Sequence, residues 1–166
     1  MTRARLFIAA PLRFVTGMPE FNVAVFALML NFPWEVLQAP LFAGMADAPF
    51  VEVITGCSQS SLGDVVIMLL AYWTVAIAAR SRRWILAPAG SQLALFIAIG
   101  VSITAVMEWL ATSGRWVQSW AYSPSMPVVP GFGIGLAPLA QWVFVPLLVV
   151  WFVRRQLADR DGDRDE

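Results

Sequence analysis

The chain has 166 residues, of which 59% are hydrophobic and 13% charged, with eleven basic residues balanced by eleven acidic ones. A chain this apolar does not have water as its main solvent. Its basic residues are all arginine, fall in three small clusters apart from Arg115, and form no patch for nucleic acid; there is no histidine, the commonest metal ligand and neutral-pH base, and Cys57 has no second cysteine to pair with.

The N-terminal stretch 3–15 mixes Leu6, Phe7, Ile8, Leu12 and Phe14 with Arg3, Arg5 and Arg13, is interrupted by Pro11, and is followed by no small-residue cleavage site. It reads as a short amphipathic segment in the cytoplasmic interface, not as a signal peptide. Apolar runs follow at about 21–43, 62–79, 93–112 and 135–153, each near the roughly 20 residues that a helix needs to cross a bilayer. The fold class is therefore all-α, a four-transmembrane-helix bundle, with residues 1–158 as one membrane domain and 159–166 (DRDGDRDE) as a disordered charged tail. Ser61 with Asp64 three residues on has the spacing of a capped helix start for the second span. Pro33 and Pro138 fall inside spans, where neighbouring helices can satisfy the carbonyls they free.

Arginine placement sets the orientation. Arg3, Arg5 and Arg13 precede the first span, Arg80, Arg82 and Arg83 follow the second, and Arg154 and Arg155 follow the fourth, whereas the segment 44–60 carries only Asp47 and Glu52 and the segment 113–134 only Arg115. The positive-inside rule puts both termini in the cytoplasm. Exclusive use of arginine suggests a GC-rich bacterial gene, and so a multi-pass protein of the cell inner membrane.

Polar residues inside spans need a reason, because a carboxylate facing lipid costs at least about 2.5 kcal/mol. In the first span Ala24, Ala27, Asn31, Glu35 and Gln38 share one helical stripe; in the third, Gly100, Thr104, Glu108 and Thr112 do so at steps of four. Asp64 from the second span and Gln141 from the fourth are expected at the same depth, in the outer half. The following segment, with Arg115, Trp116, Tyr122 and a Pro- and Gly-rich run at 127–135, has the makings of a lid. Arg115 is the expected countercharge for Glu108 or Glu35. Interhelical hydrogen bonding alone accounts for Asn31, Gln38, Thr104 and Gln141, and a helix-end role serves for Asp64 as well as a functional one. Glu35 and Glu108 carry the best functional case, since glutamine would bond at lower charge cost. Trp34, Trp84, Trp116, Trp120 and Trp151, near span ends or in loops, read as interfacial anchors, and Cys57 as a small residue at a helix entrance.

The blocks NFPWEVLQAPL (31–41), CSQSSLGD (57–64) and EWLATSGRW (108–116) resemble those of uncharacterised bacterial four-helix integral membrane proteins over nearly the whole chain. A membrane carboxylate followed by Arg-Trp and an aromatic loop is also similar to the small helical lycopene cyclase domains, and that likeness implies chemistry on isoprenoid substrates without metal.

Two functions are expected from this pattern. The first is an acid/base enzyme on a lipid-soluble, isoprenoid-like substrate, with Glu108 as proton donor, Glu35 or Asp64 as base or cation stabiliser, and Arg115 tuning its neighbour. Asn31, Gln38, Trp116, Tyr122 and Gln141 would be its substrate contacts. The second is a non-catalytic accessory or assembly subunit whose polar stripe binds a partner helix or a lipid. Expected partners are membrane lipid and, under the second reading, a membrane protein or another copy of the chain. No cofactor and no metal are expected, because the acids lie outside any close acidic motif.

Overall fold

The computed structural model describes residues 15–115, 117 and 119–162. Four helices carry these residues: α1 (Pro19–Gln38), α2 (Phe50–Ala78), α3 (Gly90–Thr112) and α4 (Leu136–Gly162), with short 3-10 turns at Ala39–Leu41 and Trp84–Leu86 and no strand among the described residues. Each helix is long and apolar enough to cross a membrane, and less than half of each span is buried. Leu37, Val51, Ile77 and Phe144 are among the large apolar side chains left facing outward, as a bundle solvated by hydrocarbon allows.

Local chemistry sets the helix ends. Proline opens α1 at its first position, where a missing N–H costs nothing, and Glu20 lies in the first turn where the helix dipole favours an acid. The Gln92 side chain accepts from the Ala89 N–H at the start of α3 (2.9 Å). Pro138 falls in the first turn of α4, so it breaks no hydrogen bond; the prolines inside helices are Pro33 and Pro146.

Helix α2 starts at Phe50, well before the entrance expected near Leu62, and Pro49 precedes it. Ser61 is consequently no cap: its hydroxyl donates to the Cys57 carbonyl at 2.7 Å from within the helix. Thr55 and Ser58 bond back to Val51 and Ile54 in the same way, each at 2.7 Å. These bonds neutralise the hydroxyls of a segment whose composition resembles a loop. Helix α4 continues to Gly162, so the first residues of the expected tail are helical in backbone. Residues 163–166 and nearly all of the expected interfacial segment 3–15 lie outside the described residues.

The helices form a four-sided ring in which α1 and α3 each pack against both α2 and α4. Neighbours run antiparallel. Glu20 at the start of α1 pairs with Arg82 beyond the end of α2, and Arg154 near the end of α4 donates to the Leu86 carbonyl just before α3 (3.0 Å). We call this the arginine end. Its interior is filled by Val23 and Ala27 of α1, Met68, Ala71, Tyr72 and Val75 of α2, Phe96 of α3, and Val145, Val149 and Val153 of α4, all buried. Trp84 belongs to this core and not to an interface: it is 3% exposed, its Nε1 donates to the Tyr72 carbonyl at 3.2 Å, and its ring meets those of Tyr72 and Phe96 at 5.9 and 5.4 Å. A 3-10 turn carries the indole inward from the end of the span.

At the opposite, loop end, the segment between α3 and α4 crosses the segment between α1 and α2. The Ala43 N–H donates to the Ala121 carbonyl (2.8 Å) and the Ser123 N–H to the Leu41 carbonyl (2.9 Å), with Phe42 and Tyr122 paired antiparallel. Phe42 packs against both the Trp120 and the Tyr122 ring.

Candidate functional site

Three faces of the bundle meet at Gln141. On α1, Asn31, Glu35 and Gln38 stand one above another because positions four and three apart share a helix face. From α4 the buried Gln141 reaches across, its Nε2 2.8 Å from Asn31 Oδ1, 2.9 Å from Asp64 Oδ2 of α2, and 3.1 Å from Glu35 Oε1. Its Oε1 accepts from Gln38 Nε2 at 3.1 Å. Gln38 Nε2 also donates to Glu35 Oε1 (2.8 Å), and Gln38 Oε1 accepts from Trp34 Nε1 (3.1 Å). Asn31 is held in turn, its Nδ2 donating to the Ala27 carbonyl at 2.9 Å. An amide NH2 has two hydrogens, so three acceptors share them. The carboxyls of Glu35 and Asp64 are thus brought to one donor, the Gln141 amide.

Glu108 stands apart on α3, 6% exposed. Its Oε2 accepts from Trp120 Nε1 at 3.2 Å and from the Tyr122 hydroxyl, and that hydroxyl accepts from the Gly135 N–H at 2.9 Å. Burial, and after it the bond to Glu108, raises the Tyr122 phenol above the ordinary tyrosine range, so it remains a donor at every physiological pH. The loop residues Trp120 and Tyr122 thus occupy the place expected for Arg115. The arginine is exposed and its guanidinium lies 5.0 Å over the Trp109 ring, with no carboxylate beside it among the described residues. Gly114, at φ +70°, ends α3, and the Arg115 N–H folds back to the Leu110 carbonyl (3.1 Å), turning the side chain away from the bundle.

Between the two groups lies a cavity of about 830 Å³. Glu35, Asp64 and Glu108 all line it, Trp120 and Phe42 close its loop side, and Thr104, Ile67 and Trp142 border it toward the packed core. Buried Cys57 also contributes to the wall. Among the described residues no lining residue is basic. Among the described residues no group of three metal-ligating side chains converges.

Of the residues singled out in the sequence, Asn31, Glu35, Gln38, Asp64 and Gln141 are joined in one network. Glu108 and Tyr122 form a second group across the cavity, Arg115 is excluded from both, and Trp116 lies outside the described residues. Trp120, expected as an interfacial anchor, lines the cavity instead, and Trp142 lines it too. A signal for Trp120 was present, since residues two apart in an extended segment point the same way and Tyr122 had been singled out. No family model, curated protein or solved structure matches the chain.

Proposed function

We propose that the chain is a multi-pass protein of a bacterial inner membrane, with both termini cytoplasmic, that takes a lipid-soluble, isoprenoid-like molecule into the cavity and moves a proton on it. The observation carrying this reading is the cavity of about 830 Å³ that is lined by three carboxyls and, among the described residues, by no arginine. Such a volume lies within the range of small-molecule sites. The orientation rests on the arginines flanking one end of the bundle and nearly missing from the other.

The hydrogen bonding favours a division of labour opposite to the one expected from sequence. Glu35 and Asp64 share the Gln141 amide, and two carboxyls gathered at one site favour keeping one proton between them, so this pair is the donor. Glu108 receives two donors on one oxygen, the bonding an ionised carboxylate takes, and acts as acceptor. The pair protonates a carbon–carbon double bond, Glu108 removes a proton from a neighbouring carbon, and the proton then returns to the pair across the cavity. The product is an isomer of the substrate. Between these steps the positive charge on carbon is stabilised by the surrounding carboxyls and by the ring faces of Trp120 and Trp142.

The test is mass spectrometry of apolar molecules retained on purification in mild detergent, with Glu108→Gln and Glu35→Gln/Glu108→Gln prepared in parallel. One apolar molecule enriched with the wild type, and accumulated or replaced by an isomer in the variants, is expected. A double variant that still converts that molecule at the wild-type rate ends the reading. The accessory-subunit alternative draws on a second, apolar groove beside Pro33, lined by Leu28, Met29, Phe32, Ser58 and Leu62. A retained protein partner with no apolar molecule would favour it.

A further inference from the structure

We infer that Trp142 is the floor of the cavity and fixes how much of the ligand extends past the carboxyls; this rests on the ligand-binding reading above. Trp142 belongs both to the cavity wall and to the packed core, and is 2% exposed. It therefore sits at the boundary between empty and filled interior. Beyond it the bundle is closed by Met68, Phe96 and Val145, all buried.

What seats the indole is a missing side chain. A Cβ added at Gly100 would lie 2.1 Å from Trp142 Cε3 and 2.7 Å from Cζ3, so the benzo ring rests directly on the bare backbone of α3. Gly100 lies on the same stripe as Thr104 and Glu108, about two helical turns toward the arginine end from the carboxyl. The Gly100–Trp142 contact thus caps the space below Glu108. A side chain at position 100 must push the indole away, and because the core side is close-packed the available space is the cavity itself. Shortening Trp142 has the reverse effect and opens the pocket beside Gly100. The two positions form a ruler adjustable in both directions, for a ligand end that is apolar and slim enough to pass between α3 and α4.

The experiment uses linear isoprenoid alcohols of increasing length (geraniol, farnesol and geranylgeraniol) and reads their occupancy on the full chain in detergent by native mass spectrometry. Trp142→Phe is expected to raise the ratio of longest to shortest bound probe several-fold over wild type, and Gly100→Ala to lower it. Equal ratios in Trp142→Phe and wild type, with the probes still bound, overturn the ruler and leave the ligand-binding reading standing. Failure of the wild type to bind any of the three overturns the ligand-binding reading, and the ruler with it. Gly100→Ala is judged only if it elutes as a monodisperse species; Trp142→Phe, which removes atoms and adds none, decides the question by itself.

Discussion

The two ends of this bundle use the same four helices in opposite ways. At the arginine end the space between helices is filled by Met68, Tyr72, Trp84, Phe96 and the valines of α4, and the polar atoms of the aromatic residues there bond to backbone carbonyls. At the loop end the helices are held by side chains bonding to one another, Gln141 to Asn31, Glu35 and Asp64, around the cavity. In hydrocarbon, burying apolar surface gives helices little reason to associate, so packing and polar contacts must do it. The first end relies on packing and the second on polar contacts. Packing density resists change, whereas a polar ring can surround a cavity, and on the proposed function this sets the stability of the protein at one end and its chemistry at the other.

That division can be broken by measurement. Trp84→Ala removes the ring contacts to Tyr72 and Phe96 at the packed end and should cost about 3–5 kcal/mol in unfolding followed by circular dichroism in mixed detergent, while the folded fraction keeps the wild-type ratios of bound isoprenoid probes. A smaller loss than that of Gln141→Leu would reverse the assignment of stability to the arginine end. Gln141→Leu deletes the hub of the polar ring. With membrane hydrogen bonds contributing roughly 0.6 kcal/mol each and at most about 1.7, a loss of about 1–3 kcal/mol is expected, together with loss of conversion of the retained molecule. Unchanged conversion would detach the ring from the chemistry. Arg115→Ala should be the mildest, leaving both the unfolding midpoint and the conversion of the retained molecule as in wild type, since the guanidinium meets only an indole face. A loss of conversion would restore the arginine to the site.

The stripe on α1 was legible because a period of 3.6 needs only one helix: Asn31 and Gln38 are buried where the spacing places them. The shared depth of Glu35, Asp64 and Gln141 was legible from chain direction alone. The start of α2 was not, because hydropathy counts each Ser and Thr hydroxyl at full cost, while in the helix Thr55, Ser58 and Ser61 return theirs to carbonyls one turn back. The donors to Glu108 were hidden for a different reason. Trp120 and Tyr122 reach it through the register between two loops, set by backbone bonds such as Ala43 to Ala121, and no local pattern encodes that pairing. Arg115 was favoured as the only positive residue expected at that end, and the turn at Gly114 carries it away. Trp84 misled in the same manner, since closeness to a span's end does not reveal which way a 3-10 turn points.

The amide of Gln141 offers two hydrogens to three oxygens. One of the three contacts is always the odd one out, and its identity can change by a small rotation of a single side chain, with no helix moving. The ring therefore behaves less like a lock than like a seat shared in rotation, because any of the three oxygens can be the one left waiting. On the proposed function, that freedom lets the site change its charge pattern while the scaffold around it stays still.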